Sequence, residues 1–142
     1  MPSFRIFDIA GSGLSAESVR LNTVASNLAN AESVSGNPAT TYRARHPVFE
    51  AVRQSLAAAG LKPGQSDAAV RVNGIVESQS PPLARYEPGN PLANEQGYVY
   101  APNVNAVEEM VDMISASRAY QNNVEVMNTS KDLMLATLKL GQ

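Results

Sequence analysis

The stretch NVNAVEEMVDMISASRAYQNNVEVMNTSKDLMLATLKL, residues 103–140, decides the fold, because it reads as one long helix built to pack on other helices. Pro102 and then Asn105 mark its start. The Asn105 side chain can cap the orphan amides while Glu108, three residues on, reaches back as in a capping box. Glu108, Glu109 and Asp112 sit near the positive end of the dipole, Lys139 near the other, and Gly141 follows as a stop signal. The predicted rod is about 55 Å long at 1.5 Å per residue.

Along that rod Met110, Met113, Ser117, Tyr120, Val124, Met127, Lys131, Met134 and Leu138 recur at alternating steps of three and four, and all but Ser117 and Lys131 are apolar. That is the period of a coiled-coil seam. Val107, Val111, Ile114, Val126, Leu133, Leu135 and Leu140 widen the stripe beyond what one partner helix needs. The opposite flank is short of charge, since from Ser115 to Ser130 only Arg118 and Glu125 are ionic among Ser, Asn, Gln and Thr. A solvated helix carries more charge than this, and Asn122, Asn123 and Asn128 are poor helix formers, so packing against several neighbours must hold the segment.

A second seam lies at the other end of the chain. Phe7, Ala10, Leu14, Glu17, Leu21, Val24, Leu28 and Ala31 alternate the same steps, with Glu17 as the one polar member and Arg20 placed to pair with it. Gly11 and Gly13 cost about 1 kcal/mol each against alanine, so a bend, or a helix start near Ser12, is expected. Two seams at the two ends predict an antiparallel hairpin, with Leu14, Leu21, Val24 and Leu28 against Met127, Tyr120 and Met113. Asn27 and Asn30 stand where Lys or Glu would serve on an exposed face. Interhelical hydrogen bonds are the expectation there, weighed equally against simple exposure.

Between the arms the texture changes, with six of the nine glycines and most of the prolines falling between residues 32 and 102. Thr40 to Arg45 reads as extended, and Val48 to Ala59 as a helix on the spacing of Phe49, Val52 and Leu56, ended by Gly60. Val70, Val72 and Val76 indicate a strand or, through Asn73-Gly74, a tight hairpin. Leu83 to Tyr86 and Tyr98 to Tyr100 read as strands joined by the turn-rich PGNPLANEQG. The predicted fold is mainly α with a small β-rich module: an N-terminal helical arm over residues 1–33, a β-rich middle over 34–102, and a C-terminal arm over 103–142 that pairs with the first.

Composition narrows the function. A net charge of −2 without a basic stripe argues against nucleic acid and against an anionic membrane surface. With no cysteine there is no disulfide or thiolate chemistry, and one histidine, His46, cannot build a histidine metal site. No partnered carboxylate or nucleophile accompanies His46, so a surface or loop histidine is the ordinary reading. No cofactor, small-molecule substrate or membrane insertion is expected. The first residues lack the apolar core of a secretory signal, which by ordinary rules predicts a cytosolic chain.

NTVASNLANA, residues 22–31, resembles the N-terminal signature of the bacterial flagellar axial proteins, the rod, hook and hook-associated subunits. GYVYAPNVN, residues 97–105, and EEMVDMISASRAYQNNVEVMNTSKDLM, residues 108–134, resemble the C-terminal signature of proximal rod subunits, with YRARHPVF and YEPGNPLA adding to the match. The resemblance implies a non-enzymatic structural subunit of the proximal rod of the basal body, transmitting torque to the hook. Its implied partners are copies of itself and other flagellar rod proteins, adjoining the membrane ring and the distal rod, and the export apparatus during secretion without a cleaved signal peptide. It also accounts for the uncharged flanks, which would be covered by neighbouring subunits in the periplasmic rod.

The expected assembly interface comprises Leu14, Leu21, Val24, Asn27, Leu28 and Asn30 on the first arm, and Met110, Met113, Ile114, Tyr120, Val124, Met127, Met134 and Leu138 on the second. Asn105 and Glu108 are the expected helix cap. A second reading, from a different class, is a soluble helical adaptor or export chaperone that binds one partner without polymerising.

Overall fold

A computed structural model describes residues 2–53 and 68–140. The chain order is α1 (Pro2–Asn30), β1 (Arg45–Arg53), β2 (Ala68–Glu77), β3 (Leu83–Tyr86), β4 (Tyr98–Ala101) and α2 (Ala106–Leu140). The two long helices pack side by side and antiparallel. Asn27 meets Glu109 at one end, Arg20 meets Asp112, Gly13 faces Asn123, and Ile6 shares a groove with Leu133 and Met134 at the other end. The predicted arrangement, long terminal helices around a small β-rich middle, is the one observed.

α1 runs unbroken through Gly11 and Gly13, so neither the expected bend nor a start near Ser12 occurs. At Gly13 the reason is close approach: a Cβ there would lie 2.9 Å from Asn123 Nδ2. The missing side chain lets the helices come together, and the contact offsets the propensity cost. At the start of α2 the Asn105 Oδ1 accepts the Val107 amide at 3.1 Å, as a cap should. The return bond expected from Glu108 is not made, since its carboxylate stands exposed and the Asn105 amide gains nothing from it. Lys139 lies in the last turn, and the stop signal at Gly141 lies outside the described residues.

The middle holds two antiparallel ribbons, β1 with β2 and β3 with β4. The helix expected from Val48 is instead strand β1 up to Arg53, and residues 54–59 and Gly60 lie outside the described residues. Every residue from Arg45 to Arg53 finds a cross-strand partner between Ala68 and Glu77. Three apolar residues at helical spacing were too few to outweigh that ladder. The hairpin considered at Asn73-Gly74 is also absent. β2 passes straight through, and Asn73 is an extra residue between the pairs Val48–Gly74 and Phe49–Val72, a β-bulge. The extended stretch expected from Thr40 is a turn at Thr40, and regular strand begins only at Arg45.

β3 and β4 occupy the predicted positions, paired from Leu83–Ala101 to Tyr86–Tyr98. The loop between them closes on its own side chains: Asn94 Oδ1 accepts the amides of Gln96 and Tyr98, and Asn90 Oδ1 accepts that of Leu92. Ser35 and Tyr100 exchange two backbone bonds, which ties the chain leaving α1 to β4. Asn103 completes the junction by accepting the Ala44 amide and donating to the Ser80 carbonyl, both at 2.8 Å. The β1–β2 ribbon in turn lies along α1, where the Val70 amide donates to Ser12 Oγ and Ile75 shares a groove with Val19 and Thr23.

The buried apolar set is made of small residues. Ala10, Ala16, Ala44, Ala101 and Ala116 are joined by Val24, Val99 and Pro102 among the described residues. Most leucines, isoleucines and methionines of the helices are half-buried or exposed instead.

Candidate assembly surface

The seam between the helices is narrower and more polar than the heptads predict. On α2 the buried residues are Glu109 and Ala116. Continuing that face at steps of seven brings Asn123 and Ser130, both half-buried, with Met113, Met127 and Met134 alongside. The predicted seam therefore keeps its methionine row, while its other row lies one residue further along than the row that faces α1. Met110, Ser117, Val124 and Lys131 give way to Glu109, Ala116, Asn123 and Ser130. Ala10, Gly13, Ala16, Thr23 and Asn27 answer from α1. Small residues on both sides set a close interaxial distance, and that leaves the large side chains at the flanks.

One polar node anchors this seam. Asn27 is fully buried and uses its whole hydrogen-bonding capacity. Its Nδ2 donates to Glu109 Oε1 at 2.9 Å and to the Arg45 carbonyl at 2.8 Å. Its Oδ1 accepts the Tyr42 hydroxyl and the Arg45 amide, each at 2.9 Å. One side chain thus joins α1, α2 and the segment that opens β1. Asn27 makes the interhelical bond foreseen for it. Asn30 does not, because its Nδ2 turns back to the Ser26 carbonyl within α1. Two turns away Arg20 spans the same seam to Asp112 at 3.0 Å, with Glu17 at 3.7 Å beside it.

Burial of Glu109 holds its carboxyl above the ordinary value of 4.5. The Asn27 hydrogen bond and the charge of His46 pull the other way, and Asp112 and Glu108 add to the rise.

The far side of α2 is the reverse of its seam. At about 100° per residue, Val107, Val111 and Ile114 stand opposite Glu109, Ala116 and Asn123, with Met110 at their edge. All four are exposed, Val107 at 69% and Ile114 at 56%. Beyond Ile114 this side turns to Arg118, Gln121 and Glu125, and near the C-terminus Leu133, Leu138 and Leu140 are again exposed. Val107, Met110, Val111 and Ile114 thus stand together as exposed apolar neighbours and not as isolated ones.

Of the interface residues expected from the sequence, Val24 and Asn27 are buried inside the chain. Leu14, Leu21, Leu28, Asn30, Met113, Val124, Met127 and Met134 are half-buried along the flanks of the helix pair. Met110, Ile114, Tyr120 and Leu138 are exposed.

Comparison with known proteins gives this arrangement its family. Residues 7–36 match the family described as flagella basal body rod protein, and residues 95–140 match the one described as flagellar basal body rod FlgEFG protein C-terminal. The chain is 53% identical to the flagellar basal-body rod protein FlgC of Salmonella typhimurium over 142 residues, all of both chains. The FlgC protein of Yersinia enterocolitica is equally similar over the same length, and that of Buchnera aphidicola from Schizaphis graminum is 40% identical over 146 residues, again covering both chains in full. The chain belongs to the FlgC family of flagellar basal-body rod proteins.

In this FlgC-family chain the two family matches cover most of both long helices, so Asn27, Glu109 and the apolar outer side of α2 lie on matched segments, while Tyr42 and Arg45 lie between them. Sequence reasoning missed Glu109 as the partner of Asn27, having assigned the first-turn role to Glu108. An antiparallel pairing that set Asn27 opposite the start of α2 was the only signal for it. Asn103 was read only as part of the helix start, and its clamp on residues 44 and 80 had no local signature. Among the described residues no helix is long and apolar enough to cross a membrane.

Proposed function

We propose that the outer side of α2 and the flanks of the helix pair are the surfaces through which this chain assembles with copies of itself and with other rod proteins. The chain is a structural subunit of the flagellar basal-body rod and not an enzyme. We place it in the proximal, periplasmic part of the rod, between the membrane ring and the distal rod, where subunits transmit torque to the hook. Passage through the flagellar export apparatus, without a cleaved signal peptide, is part of the same reading. So is the division into arm, middle and arm at residues 33 and 102.

One observation carries it: among the described residues the buried apolar set is mostly alanine, and the leucines, isoleucines and methionines of the helices are half-buried or exposed. A monomer that ended its folding there would waste most of its hydrophobic area. In a rod that area is covered by neighbours, and head-to-tail contacts between unlike faces extend without closing. The adaptor reading asks for one partner surface, and apolar residues lie along both ends of α2 and on α1 at Ile6 and Ile9.

Mass spectrometry of detergent-purified hook and basal-body particles tests the assignment. Several copies of the chain per particle are expected. Recovery from the soluble cytosol alone, in cells that build complete flagella, would refute it.

A further inference from the structure

We propose that Asn27 and Glu109 form a proton-linked latch that sets how firmly the β1–β2 ribbon is held to the helix pair. The geometry puts the start of the ribbon, at Arg45, under one buried side chain, while Ser12 and the Val19–Ile75 groove hold it further along α1. Asn27 grips both main-chain groups of Arg45, the first residue of β1, with the same amide that donates to Glu109. The Ala44 amide next to it is held by Asn103 two residues before the α2 cap. The ribbon therefore leaves the helices at a point defined by α1 and α2 together.

The state of Glu109 acts on that point through charge. Its neighbours are Glu108 and Asp112 on α2, Arg20 on α1, His46 and Arg45 on β1, and Tyr42 in the preceding segment. Most are already committed. Arg20 is bonded to Asp112, the Arg45 guanidinium lies against Glu77 and over the Tyr42 ring, and the Tyr42 hydroxyl is bonded to Asn27. His46 is exposed on β1, and its charge favours the Glu109 carboxylate. Among the described residues Asn27 is the one side chain that donates to Glu109, so the ionised form holds its charge in a buried site.

The sign follows from linkage. A carboxyl raised above its ordinary value binds its proton more tightly with the latch closed than with it open. The closed latch is favoured fully below the ordinary 4.5 and loses that advantage as pH rises through the raised value. Glu109→Gln, neutral at every pH and still able to accept from Asn27, removes the dependence without opening the seam.

The test is amide hydrogen exchange on the full chain, read at Arg45 and corrected for intrinsic rate, between pH 4.5 and pH 8. Protection of the Arg45 amide is expected to fall by about threefold or more as pH rises in the natural chain, and to stay level in Glu109→Gln. His46→Gln is expected to keep the fall and move its midpoint upward. A level profile in the natural chain, or a fall that survives Glu109→Gln, overturns the latch. Loss of the fall in His46→Gln would assign the proton to the histidine and overturn it equally.

Discussion

The two sides of α2 use opposite chemistry for opposite tasks. Toward α1 the helix offers a carboxylate, an alanine, an asparagine and a serine, at Glu109, Ala116, Asn123 and Ser130. Away from α1 it offers Val107, Met110, Val111 and Ile114 in its first turns, all exposed. In an ordinary water-soluble hairpin the larger apolar side would face the partner helix. Here the intramolecular contact is made close and specific by small residues and one satisfied polar node, and the outer apolar area is left exposed. In the proposed assembly, hydrophobic size marks where this subunit meets its neighbours, and smallness marks where it meets itself.

Substitutions can break that contrast in order of size. Asn27→Ala is expected to be the most damaging, because it strips partners from both main-chain groups of Arg45, from Tyr42 and from Glu109. A loss of about 3 kcal/mol or more, measured by denaturant unfolding of the full chain, follows from several buried polar groups left unpaired. Ala116→Leu comes next. It forces a large side chain into a site with no exposed surface, and overpacking of that kind costs about 1–3 kcal/mol. Gly36→Ala tests close packing away from the helices, since its Cβ would lie 2.6 Å from the Leu92 carbonyl oxygen. Two loops would have to move apart, with an expected loss of about 1–2 kcal/mol and a lower Tm.

Much of this was legible in the sequence. The two helices, the hairpin and strands β3 and β4 followed from caps, period and turn residues, which are local signals. What failed was phase and pairing. The heptads locate the methionine row at Met113, Met127 and Met134, but a stripe as wide as that of α2 contains several seams. The choice among them was made by Gly13 and Ala16 across the interface, far outside any local window on α2. The helix expected at Val48 failed for the same reason: β1 is a strand because β2 pairs with it over nine residues. Asn27 could be singled out as an odd residue for an exposed face, yet its partners Tyr42, Arg45 and Glu109 are brought to it only by the fold.

The most direct test of the contrast is Ile114→Asp, compared in solution and in the rod. Ile114 is 56% exposed on the side of α2 away from α1. In the isolated chain the substitution is expected to change stability by less than about 0.5 kcal/mol, as surface changes do. In cells carrying it as the sole copy, purified basal bodies are expected to lack the subunit and the cells to be non-motile. Normal incorporation and motility would contradict the account, because the apolar outer side of α2 would then be serving no neighbour.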